Sequence, residues 1–387
     1  MSIRRLALGC LAACAPASPP APTPAPAPAS PVPADSPVPP VPRDTPPAAP
    51  RLLHAAAERF GVLQDGAVLV SPRSGEPLRL DPATGATTPW TLTWSPDPAW
   101  KLAPDGGISG GAPEPSPDGA WVVVSRSWQP ARPPVPRAIL VTAYVVARHD
   151  GSDPRCVGLV FTEDEQEPPT TAWIPGPTRL TGGWTAECTP DAAGRPRLLE
   201  RSKALRTHDP AAGASSVYPV TDLSQPDPQG HLALVHDYER EPPFVGLLDL
   251  RTATTLRTLP EADDELLWPG GWVAPDAVLL NTHRDGKLVA QRVLFADGRD
   301  APAPTPTWRH YARLADGEHL FTRDAGATLE QGRVDWTRLQ VESSRPRPDL
   351  QPLAGRFDQT GQTSFTPIAA GILVHVPLRG TLLLAPL

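Results

Sequence analysis

Ser116-Pro117-Asp118-Gly119-Ala120-Trp121-Val122-Val123-Val124-Ser125-Arg126 joins a tight polar turn to a run of β-branched and aromatic residues. Proline presets φ, aspartate hydrogen-bonds the backbone ahead of it, and glycine accepts positive φ, so the first four residues form a turn. The following residues have the composition of a strand. Weaker copies of this turn-to-strand joint occur at Asp65 (QDG before AVLV), Ala193 (AAG before RPRLL), Gln229 (PQG before HLALV), Pro275 (PD before AVLL), Asp316 (ADG before EHLF) and Ala370 (AAG before ILVHV). Together they make seven joints, unevenly spaced and averaging roughly 50 residues. The pairs Gly182-Gly183-Trp184 and Gly270-Gly271-Trp272 look like a further element of the repeat.

A second strand and turn follow several joints. Tyr144 to Arg148 leads into His149-Asp150-Gly151-Ser152, Val245 to Leu250 into Arg251-Thr252, and Pro77 to Leu80 into Asp81-Pro82-Ala83-Thr84-Gly85. Helical periods are scarce; only Leu52 to Phe60 is compatible with a turn or two of helix. Short strands repeating every 40–50 residues are the pattern of an all-β propeller, in which sheets stacked radially cover each other's faces. Seven blades are expected, with six or eight compatible because the joints at Asp118 and Ala193 stand far apart. A pair of β-sandwiches is the alternative architecture. Strands at Ser364 to Pro367, Ile372 to Val376 and Thr381 to Ala385 leave the last blade one strand short. A segment around Leu52 to Leu63 is expected to supply it and clasp the ring.

SPDGAWVVVS followed by AYVVARHDGSDPR resembles the repeat of TolB-type (WD-like) propellers, where a Ser-Pro-Asp-Gly turn precedes a core strand and an Asp-Gly-Ser turn follows the next. The match is specific in this one unit and degenerate in the others. It implies the fold and, by extension, a protein-binding role in the bacterial envelope. The N-terminal helical domain of that family has no counterpart between Cys14 and Arg51.

The N-terminus points to the same compartment. Arg4 and Arg5 precede a short apolar run, Leu6 to Ala13, in the layout of an export signal. Leu11-Ala12-Ala13-Cys14 resembles the lipobox of bacterial lipoproteins, which implies a signal peptide over 1–13 and lipid on Cys14. Ala15 in place of aspartate implies, by the same resemblance, the outer membrane. From Ala15 to Pro50 nearly every second residue is proline, and the chain holds 55 in all. So proline-rich a segment lacks the apolar content to pack and reads as a disordered Pro/Ala tether over 14–50. In polyproline II form it reaches on the order of 100 Å. The propeller domain then spans 51–387.

A net charge of -7 leaves no basic footprint for nucleic acid. No apolar run is long enough to span a bilayer as a helix. Cys156 and Cys188 form an even pair in an oxidising compartment, which favours a disulfide over two unpaired cysteines. No catalytic motif, metal-ligand spacing or cofactor loop is present, so no cofactor is expected. The nine histidines are scattered and read as isolated surface residues. The acidic runs Glu163-Asp164-Glu165 with Glu167 and Asp263-Asp264-Glu265 read as solvated loops. Trp90, Trp94 and Trp100 crowd one connection, either packing between blades or presenting rings to a ligand. The reading is a monomeric, lipid-anchored envelope protein that binds another envelope protein without catalysis. A carbohydrate-active enzyme or glycan-binding propeller using the central funnel is the alternative.

Overall fold

The computed structural model describes residues 49–387 with short interruptions, the longest being 164–170, 200–204, 219–223, 238–243, 304–308 and 354–362. Residues 1–13, Cys14 and almost all of 14–50, where a signal peptide, a lipid site and a tether are expected, therefore lie outside the described residues.

Seven sheets form seven blades. Blade 1 consists of Ala57–Val62, Val68–Pro72, Leu78–Leu80 and Thr87–Pro89. Blade 2 has a divided first strand, Ile108–Gly110 and Glu114–Pro115, followed by Trp121–Trp128, Ala138–Arg148 and Arg155–Glu163. Blade 3 comprises Ala172–Ile174, Arg179–Gly182, Leu205–Asp209 and Ala214–Tyr218; blade 4 comprises Ser224–Pro226, Leu232–Asp237, Phe244–Asp249 and Thr254–Pro260. Blade 5 is Glu265–Ala274, Ala277–Arg284, Lys287–Phe295 and Asp300–Pro302. Blade 6 is Arg309–Arg313, His319–Thr322, Glu330–Asp335 and Gln340–Pro346. Ser364–Ile368, Gly371–Val376 and Thr381–Ala385 build blade 7, and Arg51–His54 completes it from the other end of the domain. The expected clasp is present, and Leu52 to Phe60 forms strands rather than helix.

The hydrophobic core is a set of layers between blades, because each sheet is apolar on both faces. Val122 and Val124 face Leu69 and Trp90 of blade 1, while Trp121 and Val123 on the same strand face Trp173 and Leu180 of blade 3. Period-2 alternation thus serves two interfaces from one strand. Comparable layers join blades 3 and 4, 4 and 5, 5 and 6, 6 and 7, and 7 and 1. A ring with seven filled interfaces is not a pair of sandwiches.

First strands of successive blades touch around the axis, which makes them innermost. In such an antiparallel meander the first-to-second and third-to-fourth turns share one end of the ring. The second-to-third turns and the links between blades share the other, called here the upper face. The Ser116-Pro117-Asp118-Gly119 turn lies at the lower end. Ser116 Oγ donates to Asp118 Oδ1 at 2.6 Å and accepts the Trp121 N–H at 3.0 Å. Burial alone would raise the Asp118 carboxyl, but hydrogen bonds from Ser116, Thr178 and the Ala120 N–H hold it below the usual range. The motif also joins blades: Gly119 O accepts the Gln64 N–H at 2.9 Å, and Thr178 of blade 3 donates to Asp118.

Two expectations about the repeat need correction. The joint at Ala193 is not a blade joint, for blade 3 turns between Ile174 and Arg179, and Ala193 sits in an insertion after Gly182. Gly182-Gly183-Trp184 and Gly270-Gly271-Trp272 are not equivalent either. The first follows the second strand of blade 3, and the second belongs to the first strand of blade 5.

Candidate functional site

Blade 2 departs from the plain pattern where it meets blade 1. Its first strand pairs with Trp121–Trp128 as Ile108–Gly110 and again as Glu114–Pro115, with a break between. Pro113 lacks an N–H to continue the ladder. The break borders an open cavity of about 520 Å³ on the upper face, between the two blades.

The cavity begins where the apolar layer ends. Val122 and Val124 point at blade 1, and two residues further the same face carries Arg126. From blade 1, Leu69 faces blade 2, and two residues further comes Ser71. Trp90 and Val124, both buried, line the apolar part, while Glu58, Arg73 and Glu76 bring charges of both signs. Arg126 pairs across the strands with Gly110. Paired residues project to the same face, and the missing side chain leaves room for the guanidinium. A Cβ on Gly110 would come within 2.1 Å of Arg126 Nη1. Burial lowers the Arg126 pKa, and among the described residues the guanidinium has no ion-pair or hydrogen-bond partner. Ser71 is 6% exposed, and its Oγ is buried without a partner among the described residues.

Among the described residues Ile108–Gly110 pairs on one side only, and it is exposed throughout. The Gly111 N–H donates to Ser125 O at 2.9 Å. Strand alternation therefore turns the N–H and C=O of Gly110 away from the paired strand, toward the open side. The site offers a backbone edge, an apolar floor, a desolvated cation and two carboxylates.

The three crowded tryptophans do not share a ligand platform. Trp90 lines the cavity but is 4% exposed, with its Nε1 donating to His149 O at 2.9 Å. Trp94 packs against Trp128, and Trp100 is buried against Phe161 with its Nε1 donating to Cys188 O at 2.9 Å. Their rings fill layers, as the apolar surroundings require. Among the described residues the exposed tryptophan is Trp268, at 53%, near the upper end of the first strand of blade 5 beside Leu266 at 42%. No turn or aromatic cluster marks it in the sequence.

Cys156 and Cys188 are bonded, with Cα atoms 5.9 Å apart. The bridge pins the blade 3 insertion to the outer strand of blade 2, where Ala186 also pairs with Leu159. Of the acidic runs, Glu265 lies on a strand and pairs with Arg284 at 2.5 Å; 164–170 and 261–264 lie outside the described residues. Among the described residues no cluster of three His, Cys, Asp or Glu side chains is placed to hold a metal.

Shifted pKa values elsewhere include those of Glu114 and of two histidines in blade 6. Glu114 stands on the innermost strand of blade 2, where burial pushes its carboxyl up against the opposing pull of Arg59. In blade 6, His310 Nε2 and His319 Nδ1 are 3.0 Å apart, and Trp336 Nε1 donates to His319 Nε2 at 3.3 Å. That bond makes His319 Nε2 an acceptor, so Nδ1 carries its proton and donates to His310. Burial lowers His310 to about 3 and His319 to about 4, with Arg313 pushing the same way.

No protein-family model matches the chain, and no curated protein does. Solved structures do. A putative TolB from Agrobacterium tumefaciens is 12% identical, covering 63% of this chain and 79% of its own, with a TM-score of 0.33. The β-propeller domain of the Trilobed protease from Pyrococcus furiosus is 10% identical, covering 70% and 79%, with a TM-score of 0.40. Hydrazine synthase from Kuenenia stuttgartiensis is 11% identical, covering 90% and 99%, with a TM-score of 0.43. At this distance the likenesses carry nothing about chemistry or partner.

Proposed function

We propose that this chain is a non-catalytic binding module of the bacterial cell envelope, whose cavity between blades 1 and 2 takes an extended segment of a protein partner. In this reading 1–13 is removed on export, Cys14 carries lipid, 14–50 is a tether, and the propeller over 51–387 acts as a monomer at the outer membrane. The observation that carries the binding role is the one-sided strand Ile108–Gly110 beside the cavity. An extended chain laid along that edge gains backbone hydrogen bonds, and the cavity receives its alternate side chains. Mixed charge above an apolar floor suits a peptide better than a purely apolar ligand.

Site-specific photo-cross-linking in intact cells tests this. A cross-linker at Glu76, on the cavity rim, is expected to trap one protein partner, and one at Gln64, on the lower face, is not. Capture from Gln64 and not Glu76 overturns the assignment of the site. Cys14→Ser is expected to move the protein from the membrane to the soluble fraction; unchanged membrane association overturns the anchor.

Glu114 favours a second reading. A carboxyl whose pKa is raised, on the innermost strand, is suited to general acid catalysis on a glycan in the funnel. Glycan cleavage by the purified protein, lost in Glu114→Gln, would establish that reading over the first.

A further inference from the structure

We infer that the cavity recognises the free carboxylate at the C-terminal end of its peptide ligand, held by the Arg126 guanidinium and the Ser71 hydroxyl. This rests on the peptide-binding reading and names which part of the partner enters.

Arginines elsewhere on this protein are paired with carboxylates again and again. Arg155 meets Asp153 at 2.6 Å, Arg251 meets Asp249 at 2.9 Å, and Arg345 meets Glu318 at 2.9 Å. Even the almost fully buried Arg347 is closed by Asp349 at 2.9 Å and by Pro386 O at 2.8 Å. Arg126 breaks that habit. It is half-buried, held over Gly110, and without an anionic partner among the described residues. A cation so placed has lost hydration with nothing in exchange, which an incoming anion restores.

Ser71 supplies the independent observation. Its hydroxyl is more than nine-tenths buried, unpartnered among the described residues, and part of the wall opposite Arg126. A planar fork and one hydroxyl donor together match the two oxygens of a carboxylate.

The end of a chain explains the rest of the site better than an internal acidic side chain does. The Gly110 edge pairs with the backbone of the residues leading in, and the apolar wall of Trp90 and Val124 bounds the cavity they enter. Strand addition combined with capture of a terminal carboxylate is a known mode of peptide recognition. Glu58 and Glu76 at the same cavity favour lysine or arginine in the residues just before the end.

The test is an array of immobilised peptides with outward C-termini, covering every pair of residue types at the last two positions. Each is made as free acid and as amide, and the array is probed with the full purified chain. Free acids are expected to bind about tenfold or more tightly than their amides, with Lys and Arg enriched before the end. Arg126→Gln is expected to abolish the acid–amide difference, and Ser71→Ala to reduce it. Gly110→Ala, which displaces the guanidinium without removing it, is expected to act like Arg126→Gln. Near-UV circular dichroism of each variant shows whether the fold is kept, and Arg126→Lys is expected to restore part of the preference. Equal binding of acids and amides overturns the carboxylate-end proposal and leaves peptide binding standing. A parallel array of phosphopeptides that binds where free acids do not reassigns the anion and also overturns it. An array with no bound peptide of either form overturns both.

Discussion

Gly66, Gly119 and Gly317 occupy the same position in the lower-face turns of blades 1, 2 and 6, all at positive φ: 82°, 66° and 81°. Their surroundings differ. A Cβ added at Gly66 or Gly317 meets nothing within 4 Å, whereas one at Gly119 comes within 2.4 Å of Gln64 N and 2.5 Å of Leu63 C. Those are backbone atoms of the neighbouring blade, and the Gln64 N–H is bonded to Gly119 O. Alanine at any of the three carries the left-handed backbone cost, about 1–2 kcal/mol. At Gly119 it also forces two blades apart, an overpacking cost of about 1–3 kcal/mol. Gly119→Ala is therefore expected to destabilise by about 2–5 kcal/mol, and Gly66→Ala and Gly317→Ala by about 1–2 kcal/mol each. Urea unfolding followed by tryptophan fluorescence, with all three variants oxidised, measures the difference directly. Equal losses would falsify the claim that the Ser-Pro-Asp-Gly turn of blade 2 is a blade-to-blade joint rather than a turn like its relatives.

Further predictions concern ionisation and cross-links. Both blade 6 histidines have native pKa values, about 3 and about 4, below the unfolded value of about 6.5. The native state then binds fewer protons, so their contribution is fully present above about pH 6.5 and is lost as pH falls through 4. Wild type should lose more stability between pH 7 and pH 4 than a His310→Gln, His319→Gln double variant; parallel pH profiles would count against the buried neutral pair. Reducing the Cys156–Cys188 bridge, 32 residues apart in sequence, should cost about 3–4 kcal/mol by loop entropy. Oxidised and reduced protein unfolding at the same denaturant concentration would contradict it. Arg347→Met strands Asp349, whose side chain is 4% exposed, and should cost about 3–5 kcal/mol. Adding Asp349→Leu should recover part of that loss, and no recovery would argue that the guanidinium matters through Gln331 and Pro386 O instead.

Much of the fold was legible because its determinants are local. A polar turn followed by a two-faced apolar strand marks the inner hairpin in six of the seven blades, and the shortage of one strand in blade 7 announced the clasp by Arg51–His54. Blade 3 hid its joint because Pro175-Gly176-Pro177 lacks the aspartate signature. The Ala192-Ala193-Gly194 turn of the insertion imitated one, stretching the apparent period. His310 and His319 flank the Asp316-Gly317 turn at a separation that brings them together across a hairpin. That signal was available and is weak, since most residues so placed simply share a face.

The candidate site was not legible, although Val124 and Arg126, which line it, sit in the Ser116–Arg126 stretch. Val122, Val124 and Arg126 share a strand face by period 2, and so do Leu69 and Ser71. Which blade each face meets depends on ring order, and that order is set by closure of the whole chain. The sequence by itself determined most of the strands and turns and an expectation of seven blades with six or eight open, because backbone preference and side-chain alternation act over a few residues. Only the tertiary structure decided that Trp90 and Trp100 would be buried, that Trp268 would not, and that Arg126 and Ser71 would face each other across a gap. Burial and pairing depend on residues tens of positions away, brought together only when seven sheets close into a ring.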